Sequence, residues 1–389
     1  MLIKRLTLKK ILSFKETTVE LKPLNVLIGA NAVGKSNLIE AIGLLQAAPA
    51  RIEGQILRGG GVRQWLWLGG APDVSAGVGC ALTLPSQPQS GSVFYGLEFW
   101  GGPAGFEILH ERLIDGDSES GGPNYFMRRG TSMQFGGPAL ELARVQAAAT
   151  AMPSNESVFA RFKNPMDTTP VTEVGRCFEE IRIFREFRTG FNSQARHGIS
   201  TAAPKDSLSE GADNLALVLH QLDFLGAHDR IKEYLKRFCA RFEDVKVDVG
   251  EGLARTFLRE AGLSDMLSGI RMSDGTLKFL CLLAVLFHPK PAPLVCIEEP
   301  ELGLHPDALR LVAEVLVEAS ERTQLIITTH SEALVDALSD HPESVLVCER
   351  DFDNGTQFKR LAQDELDEWL EHYTLGELWR KGELGGGRW

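Results

Sequence analysis

Apolar and polar positions alternate early in the chain. In "LIKRLTLKKIL" (2–12) and "TTVELKPL" (17–24) the pattern predicts two half-buried strands, and Asn25 to Ile28 follow as a short buried strand. Ser36 to Leu45 then carry apolar residues at helical spacing. From Ala76 to about Ile114 the texture changes: "GVGCALTLP", "SVFYGLEFW" and "FEILHERLI" are separated by Gly, Pro, Ser and Gln, which predicts antiparallel strands joined by turns. Gly- and Pro-rich stretches continue to about Gly137, and short helical patterns take over from Pro138. Thr172 to Phe187 reads as helix passing into strand, and Asn214 to Phe242 is the best helical stretch. A second α/β texture begins near Arg271 and runs to about Cys348. There is no internal repeat, and no low-complexity tract beyond the loops.

Composition narrows the class. With 389 residues the chain has room for two domains, or for one large domain with an insertion. Hydrophobic residues at 43% and charged residues at 24% are those of an ordinary globular protein. No apolar run approaches the length of a membrane span, and "MLIKRLTLKK" lacks a signal-peptide core. Six cysteines without CxxC spacing suggest neither a zinc site nor a disulfide framework, so a cytoplasmic location without a membrane partner is expected. The net charge of −11 argues against a surface coated for nucleic acid but leaves room for a local basic patch.

The first candidate chemistry lies in "VLIGANAVGKSNLIEAI", Val26 to Ile42. Gly29, four residues, then Gly34, Lys35 and Ser36 is the spacing of a phosphate-binding loop between a strand and a helix. The glycines let backbone N–H groups converge on a phosphate at the positive end of the helix. Lys35 reaches the β- and γ-phosphates in this reading, and the Ser36 hydroxyl ligates Mg²⁺.

Whatever completes such a site should lie far along the chain. "PAPLVCIEEPELGLHP", Pro291 to Pro306, is an apolar strand ending in two carboxylates. A buried strand of this kind delivers one carboxylate, Glu298, to the Mg²⁺ shell and the next, Glu299, to the attacking water. "TQLIITTHS" (323–331) is another short buried strand, rich in β-branched residues. It ends at His330, which is placed to sense a γ-phosphate. In "RMSDGTLKFLCLLAVLF" (271–287), Ser273-Asp274-Gly275-Thr276 reads as the N-cap and first turn of a long apolar helix, again a place for an anion.

Together these motifs resemble, in order and placement, the ABC-type ATPase heads of the RecF, SMC and OLD-like group, and in particular small bacterial AAA-family, RecF-like ATPases. "LSEGADNLALVL" and "YTLGELWRKGELGG" are similar to segments of those small proteins. The resemblance covers about residues 1–50 and 205–389 well, and the middle in texture. It implies an α/β P-loop NTPase fold: an ABC-ATPase-like head with a mostly parallel core sheet, an antiparallel β subdomain and a helical insertion. On that pattern, 1–50 and 271–389 form the ATPase core, 51–137 the antiparallel subdomain, and 138–270 a helical subdomain leading to the signature. The implied cofactors are ATP and Mg²⁺, and the implied activity is hydrolysis of ATP to ADP and phosphate. Gly29, Asn31, Gly34, Lys35, Ser36 and Asn37 would hold the nucleotide, and Ser36 and Glu298 the metal. Lys35, Glu299 and His330 would act in catalysis. In the family two heads sandwich ATP, so Ser273 and Gly275 would meet the γ-phosphate held by a partner copy, with "ELGLHP" crossing the interface.

The chain departs from that pattern in three places. Its signature is "MSDGT" rather than a serine-glycine-glycine form, Glu298 stands where an Asp is usual, and no heptad segment suggests a coiled-coil arm. Gln64 and Gln194 both stay open as the glutamine of the Q-loop. Only 59 residues follow His330, so a nuclease is expected on a separate chain. DNA and a nuclease or effector protein are the candidate partners beyond the homodimer. Arg182, Arg185 and Arg188 form one candidate DNA surface. Arg230, Lys232, Lys236, Arg237 and Arg241 form the other, with 232/236 and 237/241 at helical spacing. Trp65 and Trp67 share one side of a strand or turn; Trp379 is expected in the core, and Trp389 ends a glycine-rich tail that could engage a partner. A transporter's nucleotide-binding subunit and an ATP-held scaffold with little turnover are the rival classes; co-purification with a membrane protein and a turnover assay separate them.

Overall fold

The computed structural model describes residues 2–69, 75–84, 91–102, 105–119, 122–136, 152–163 and 169–386. The chain forms two compact units. Met1–Ile181, Glu343–Leu361 and Leu384–Trp389 make the first; Arg182–Pro342 and Ala362–Glu383 make the second.

In the first unit, the strand Leu24–Ile28 is buried at every position; its one polar side chain, Asn25, accepts from Lys22 N and donates to Lys22 O. It pairs in parallel with Val345–Asp351, placing Val347 opposite Ile28. Beyond that pair the sheet is antiparallel, passing through Gly355–Arg360, Phe14–Glu20, Ile3–Ile11, Ala76–Thr83, Ser92–Gly102 and Gly105–Asp115. The expected strands between Ala76 and Ile114 are therefore present. Two more follow where the sequence reads as loop: Asn124–Arg129 and Ser132–Phe135, turned at Gly130 with φ 56°. Their polar residues hide a period-two pattern in which only Phe126 and Arg128 are buried.

The helix Lys35–Ala47 begins at the lysine, as expected, and Pro49 follows its end. Leu38, Ile39, Ala41, Ile42, Leu44 and Leu45 are all buried, and the helices Ile52–Arg58 and Pro170–Glu179 pack against this one. A second core of Tyr95, Phe126, Phe159 and Phe178 binds the segment after Met152 to the antiparallel strands, with ring centroids 5.1–5.7 Å apart. Inside it lies a charge pair. Glu111 accepts from Tyr95 Oη (2.9 Å), Ser157 Oγ (2.5 Å) and Val158 N (2.9 Å), with Arg128 Nη1 3.7 Å away. Arg128 also donates to the carbonyls of Gly130, Pro153 and Glu156. Both side chains are fully buried, and desolvation raises the Glu111 carboxyl pKa against the pull of these partners.

In the second unit, Leu294–Glu298 lies between Gln324–Thr328 and Arg182–Phe184, parallel to both. The helices Asp274–Leu286 and Leu309–Ser320 belong to this unit, and Phe279 of the first stacks on Phe238 at 4.4 Å. The stretch Asn214 to Phe242, expected as one helix, is two: Leu215–Phe224 and His228–Phe238. Gly226, with φ 81°, ends the first, and Arg241 lies outside the second. The segment 138–270, expected to be helical, also carries an antiparallel pair, Phe242–Gly250 with Leu253–Glu260; its parts 138–151 and 164–168 lie outside the described residues. Alternating Val245, Val247 and Val249 favour extended chain there. The helix Leu375–Lys381 starts at a capping box, Thr374 with Glu377, and buries Trp379 as expected; Trp389 lies outside the described residues. The six cysteines are free thiols.

The Glu111–Arg128 pair should dominate the stability of the antiparallel region. Arg128→Leu strands a buried carboxylate and three carbonyls, so a loss of about 3 kcal/mol is expected in urea unfolding. A loss below about 1 kcal/mol would mean that Tyr95, Ser157 and Val158 alone hold Glu111.

Candidate nucleotide site

The loop after Leu24–Ile28 is built around missing side chains. Gly29 has φ 146° and Gly34 has φ 113°, a region that side-chained residues rarely enter. A Cβ on Gly29 would run into the carbonyl of Cys348; one on Gly34 would run into Thr356 Oγ1 and Ser13 Oγ. Ala32 at the loop's apex is also left-handed, with φ 62°. Thr356 secures the wall: its hydroxyl donates to Val33 O, its Oγ1 lies 2.8 Å from Ser13 Oγ, and its N–H donates to Ser13 O. Burial pushes the Cys348 thiol up to about 12, so it stands in the wall as a neutral group.

Lys35 folds back over this loop. Its Nζ donates to Gly29 O (2.8 Å) and Ala30 O (2.9 Å), and the residue is buried. The helix it opens has Gly34 as N-cap, no side-chain cap bond and no acid in its first turn. Ser36 and Asn31 are exposed and Asn37 is half-buried. The glycine-rich tail supplies one more wall: Gly386 N donates to Glu349 Oε1 (2.7 Å), and a Cβ there would come 3.3 Å from Gly29 Cα.

The second unit carries the acids. The buried strand Leu294–Glu298 ends with Glu298 Oε1 enclosed, 3.8 Å from Arg185 Nη1. Glu299 has φ 47°, a left-handed backbone for a residue with a long side chain. Its N–H donates to Thr328 O (2.9 Å), and its Oε1 lies 3.7 Å from His330 Nε2. A hollow of about 250 Å³ is lined by Phe184, Arg185, Phe187, Lys278, Glu298 and Glu299, among others. A larger hollow, about 440 Å³, lies on the face of the antiparallel strands of the first unit, above Gly77, Gly79 and Gly96, and contains none of the sequence-predicted residues.

Ser273 caps its helix: its Oγ accepts from Thr276 N (3.1 Å). Gly275 abuts the acid turn, since a Cβ on it would come 2.9 Å from Gly303 O; Lys278 Nζ donates to Leu302 O (2.9 Å). Asp274 pairs with Arg196, whose buried guanidinium also donates to the carbonyls of Thr189, Gly269, Ile270 and Met272. Glu298, Glu299, His330, Ser273 and Gly275 thus share the second unit, and the residues from Gly29 to Asn37 the first.

Sequence reasoning missed Ser13, Thr356, Cys348, Gly386, Arg196 and Glu301. Only Glu301, the third carboxylate of "EEPE", gives a signal; the others stand in no recognisable spacing. Gln64 lies in the short helix Val62–Trp65 and Gln194 in Gln194–His197. Trp65 is buried and donates from Nε1 to Ile56 O (3.2 Å), while Trp67 is half-buried. The basic groups are largely matched by acids. Arg188 pairs with Asp213, Arg230 with Glu233 and Glu318, Arg237 with Glu314, and Arg241 with Glu260.

A family model described as "AAA domain, putative AbiEii toxin, Type IV TA system" matches residues 24–72 and 184–336, just over half of the chain. The Old nuclease of Escherichia phage P2 is 38% identical over 80 residues; the match spans 20% of this chain and only 13% of that protein. Among solved structures, an SMC head bound to the C-winged helix domain of ScpA is similar with a TM-score of 0.57 at 15% identity, over 93% of this chain and 99% of that one. An SMC head with an extended coiled coil bound to the C-terminal domain of ScpA, from Pyrococcus furiosus, gives 0.56 at 15% identity, over 95% and 98%. The likeness to both is one of fold.

The left-handed backbone at Glu299 has a measurable cost. Glu299→Gly should stabilise the protein by about 0.5–1 kcal/mol, because glycine enters that region without strain. An unfolding midpoint equal to or below that of the wild type would show that the side chain contributes more than its backbone costs.

Proposed function

The chain belongs to the AAA-domain family whose model matches just over half of it, an ATPase head of the RecF/SMC/OLD group, and from that premise we propose that it binds and hydrolyses ATP, dimerises on ATP, and switches DNA or a DNA-acting partner between two states. The observation that carries this reading is Lys35 folded into the Gly29–Gly34 loop. A triphosphate fits there, because the loop's shape depends on two glycines and its helix start carries no side-chain cap or acid. Backbone N–H groups and Lys35 would hold the β- and γ-phosphates, with Asn31 and Asn37 beside them.

For the metal, the donor chemistry fits magnesium. Among the described residues no group of three or more His, Cys, Asp or Glu could cage an ion. Magnesium characteristically takes one or two protein oxygens together with phosphates and waters. Glu298 and Ser36 would be those oxygens, and the bound ion would neutralise charge on the phosphates. In this proposal Glu299 orients the attacking water and His330, 3.7 Å from it, senses the γ-phosphate.

The proposed dimer uses Ser273 and Gly275 against the partner's nucleotide. Gly275 already needs its bare Cα to pass Gly303, so its contribution would come from its N–H rather than from added space. Asp274 is turned to account by Arg196, which offsets a negative charge near the proposed phosphate contact. The partner being DNA or a DNA-acting protein rests on the nuclease relative, and an accessory protein rests on the ScpA-bound heads. The acid-matched arginines described above favour a protein partner over those two groups as a DNA surface. No helix among the described residues is long and apolar enough to cross a membrane.

Lys35→Ala should weaken ATP binding by about tenfold or more, about 1.4 kcal/mol at least, in calorimetry. Unchanged affinity would remove the phosphate-loop assignment. Ser273→Arg should leave ATP binding by the single chain near normal and abolish ATP-dependent dimerisation, read by light scattering. Mixed with Lys35→Ala, it should regain one composite site and partial turnover. Normal dimerisation by Ser273→Arg alone would overturn the sandwich arrangement.

A further inference from the structure

Glu301 has no role in the site as described, yet its carboxylate joins both strand ends that carry the acid pair's chemistry. Its Oε1 accepts from the Thr329 hydroxyl (2.6 Å) and from the backbone N–H of His330 (2.9 Å). Its Oε2 is buried and has no hydrogen-bond partner among the described residues. Desolvation raises its carboxyl pKa, and the two donors oppose that rise. The connection continues: Thr329 Oγ1 accepts from Ser331 N (3.0 Å), and Ser331 Oγ accepts from Leu334 N (3.3 Å), capping the next helix. On the other side, Leu302 N donates to Glu299 O and Leu304 N to Glu301 O, so residues 299–304 form one tight turn.

Glu299 and His330 sit on neighbouring strand ends. Two links lock the register there, and they lie on either side of the pair. One is Glu299 N to Thr328 O, which continues the sheet. The other is Glu301 Oε1 to His330 N, which lies past the end of the strands, where no backbone ladder exists. The second link holds the backbone of His330 directly beside the side chain that approaches Glu299 to 3.7 Å.

We infer that Glu301 is a positioning residue: one carboxylate oxygen, acting as a double hydrogen-bond acceptor, sets His330 against Glu299. It works by geometry rather than by charge, since the oxygen that makes no bond is enclosed and the acceptor oxygen meets one hydroxyl and one amide, both neutral. This inference rests on the proposed roles of Glu299 and His330 in hydrolysis. Misplacing catalytic groups by about 1 Å can lower a rate by as much as about a hundredfold. The effect should therefore fall on turnover and leave nucleotide affinity alone.

Glutamine and alanine separate the possibilities. Glu301→Gln keeps an oxygen able to accept both bonds; Glu301→Ala keeps neither. Glu301→Ala should lower kcat about tenfold to a hundredfold with ATP affinity within about twofold of wild type, and Glu301→Gln should restore most of that loss. Thr329→Val, which removes one of the two donors to Glu301 together with the acceptor of Ser331 N, should fall between and serves if Glu301→Ala does not fold. A second readout needs no turnover: the ring resonances of His330, followed by NMR in the nucleotide-free protein, should move in Glu301→Ala and stay near wild type in Glu301→Gln. Wild-type turnover in Glu301→Ala and Thr329→Val, or an equal loss in Gln and Ala, would overturn the inference. Glu299→Gln and His330→Ala are measured alongside. If both hydrolyse normally, the proposed catalytic roles fail. If both are inactive and Glu301→Ala is not, only the positioning role fails.

Discussion

A lysine ammonium taken out of water must find acceptors, and Lys35 finds two in the carbonyls of Gly29 and Ala30. That requirement fixes much else. The loop can present its carbonyls inward to the ammonium only if its backbone turns through left-handed conformations, which Gly29 and Gly34 allow. The space those glycines leave is filled from outside by Cys348, Ser13 and Thr356. Thr356 and Cys348 come from a strand pair far along the chain that closes on Leu24–Ile28. The phosphate loop is thus a tertiary structure, held by its walls as much as by its own sequence.

The second unit solves a different problem. Two carboxylates and a histidine must lie at strand ends, where the ladder stops and side chains lose their support. Backbone strain at Glu299 and the acceptor geometry of Glu301 are two sides of that solution: one aims a side chain, the other ties down its neighbour. Lys278 and Gly275, on the helix that Ser273 caps, brace the same turn at Leu302 and Gly303. The helix start at Ser273 and the acid turn are therefore mechanically continuous within one unit. A change at the N-terminus of that helix has a short packed route to Glu299.

Much of this was legible in the sequence because the informative elements carry strong local patterns. The short, mostly apolar strands Leu24–Ile28, Leu294–Glu298 and Gln324–Thr328 announce themselves, and each is followed directly by the residue types of its loop. The long helical reading from Asn214 failed at Gly226, since one glycine between Leu225 and Ala227 weighs little against flanking helical periodicity. Asn124–Arg129 went unread as a strand because one of its two inward positions is an arginine. Arg128 is buried only because Glu111, also polar, waits opposite. Pairings between distant polar residues leave no periodicity. For the same reason Arg196, Thr356 and Glu301 could be seen only once the chain was folded.

The wall around Gly29 has a consequence for how the protein is made. Its parts, Cys348 and Gly386, emerge from the ribosome more than three hundred residues after the loop they enclose. At about 5–20 residues per second, that gap is on the order of tens of seconds. Throughout it the buried strand Leu24–Ile28 lacks its parallel neighbour Val345–Asp351, and an apolar edge stands open to any strand that meets it. A chain cut short of Cys348 and Gly386 lacks the wall that encloses Gly29.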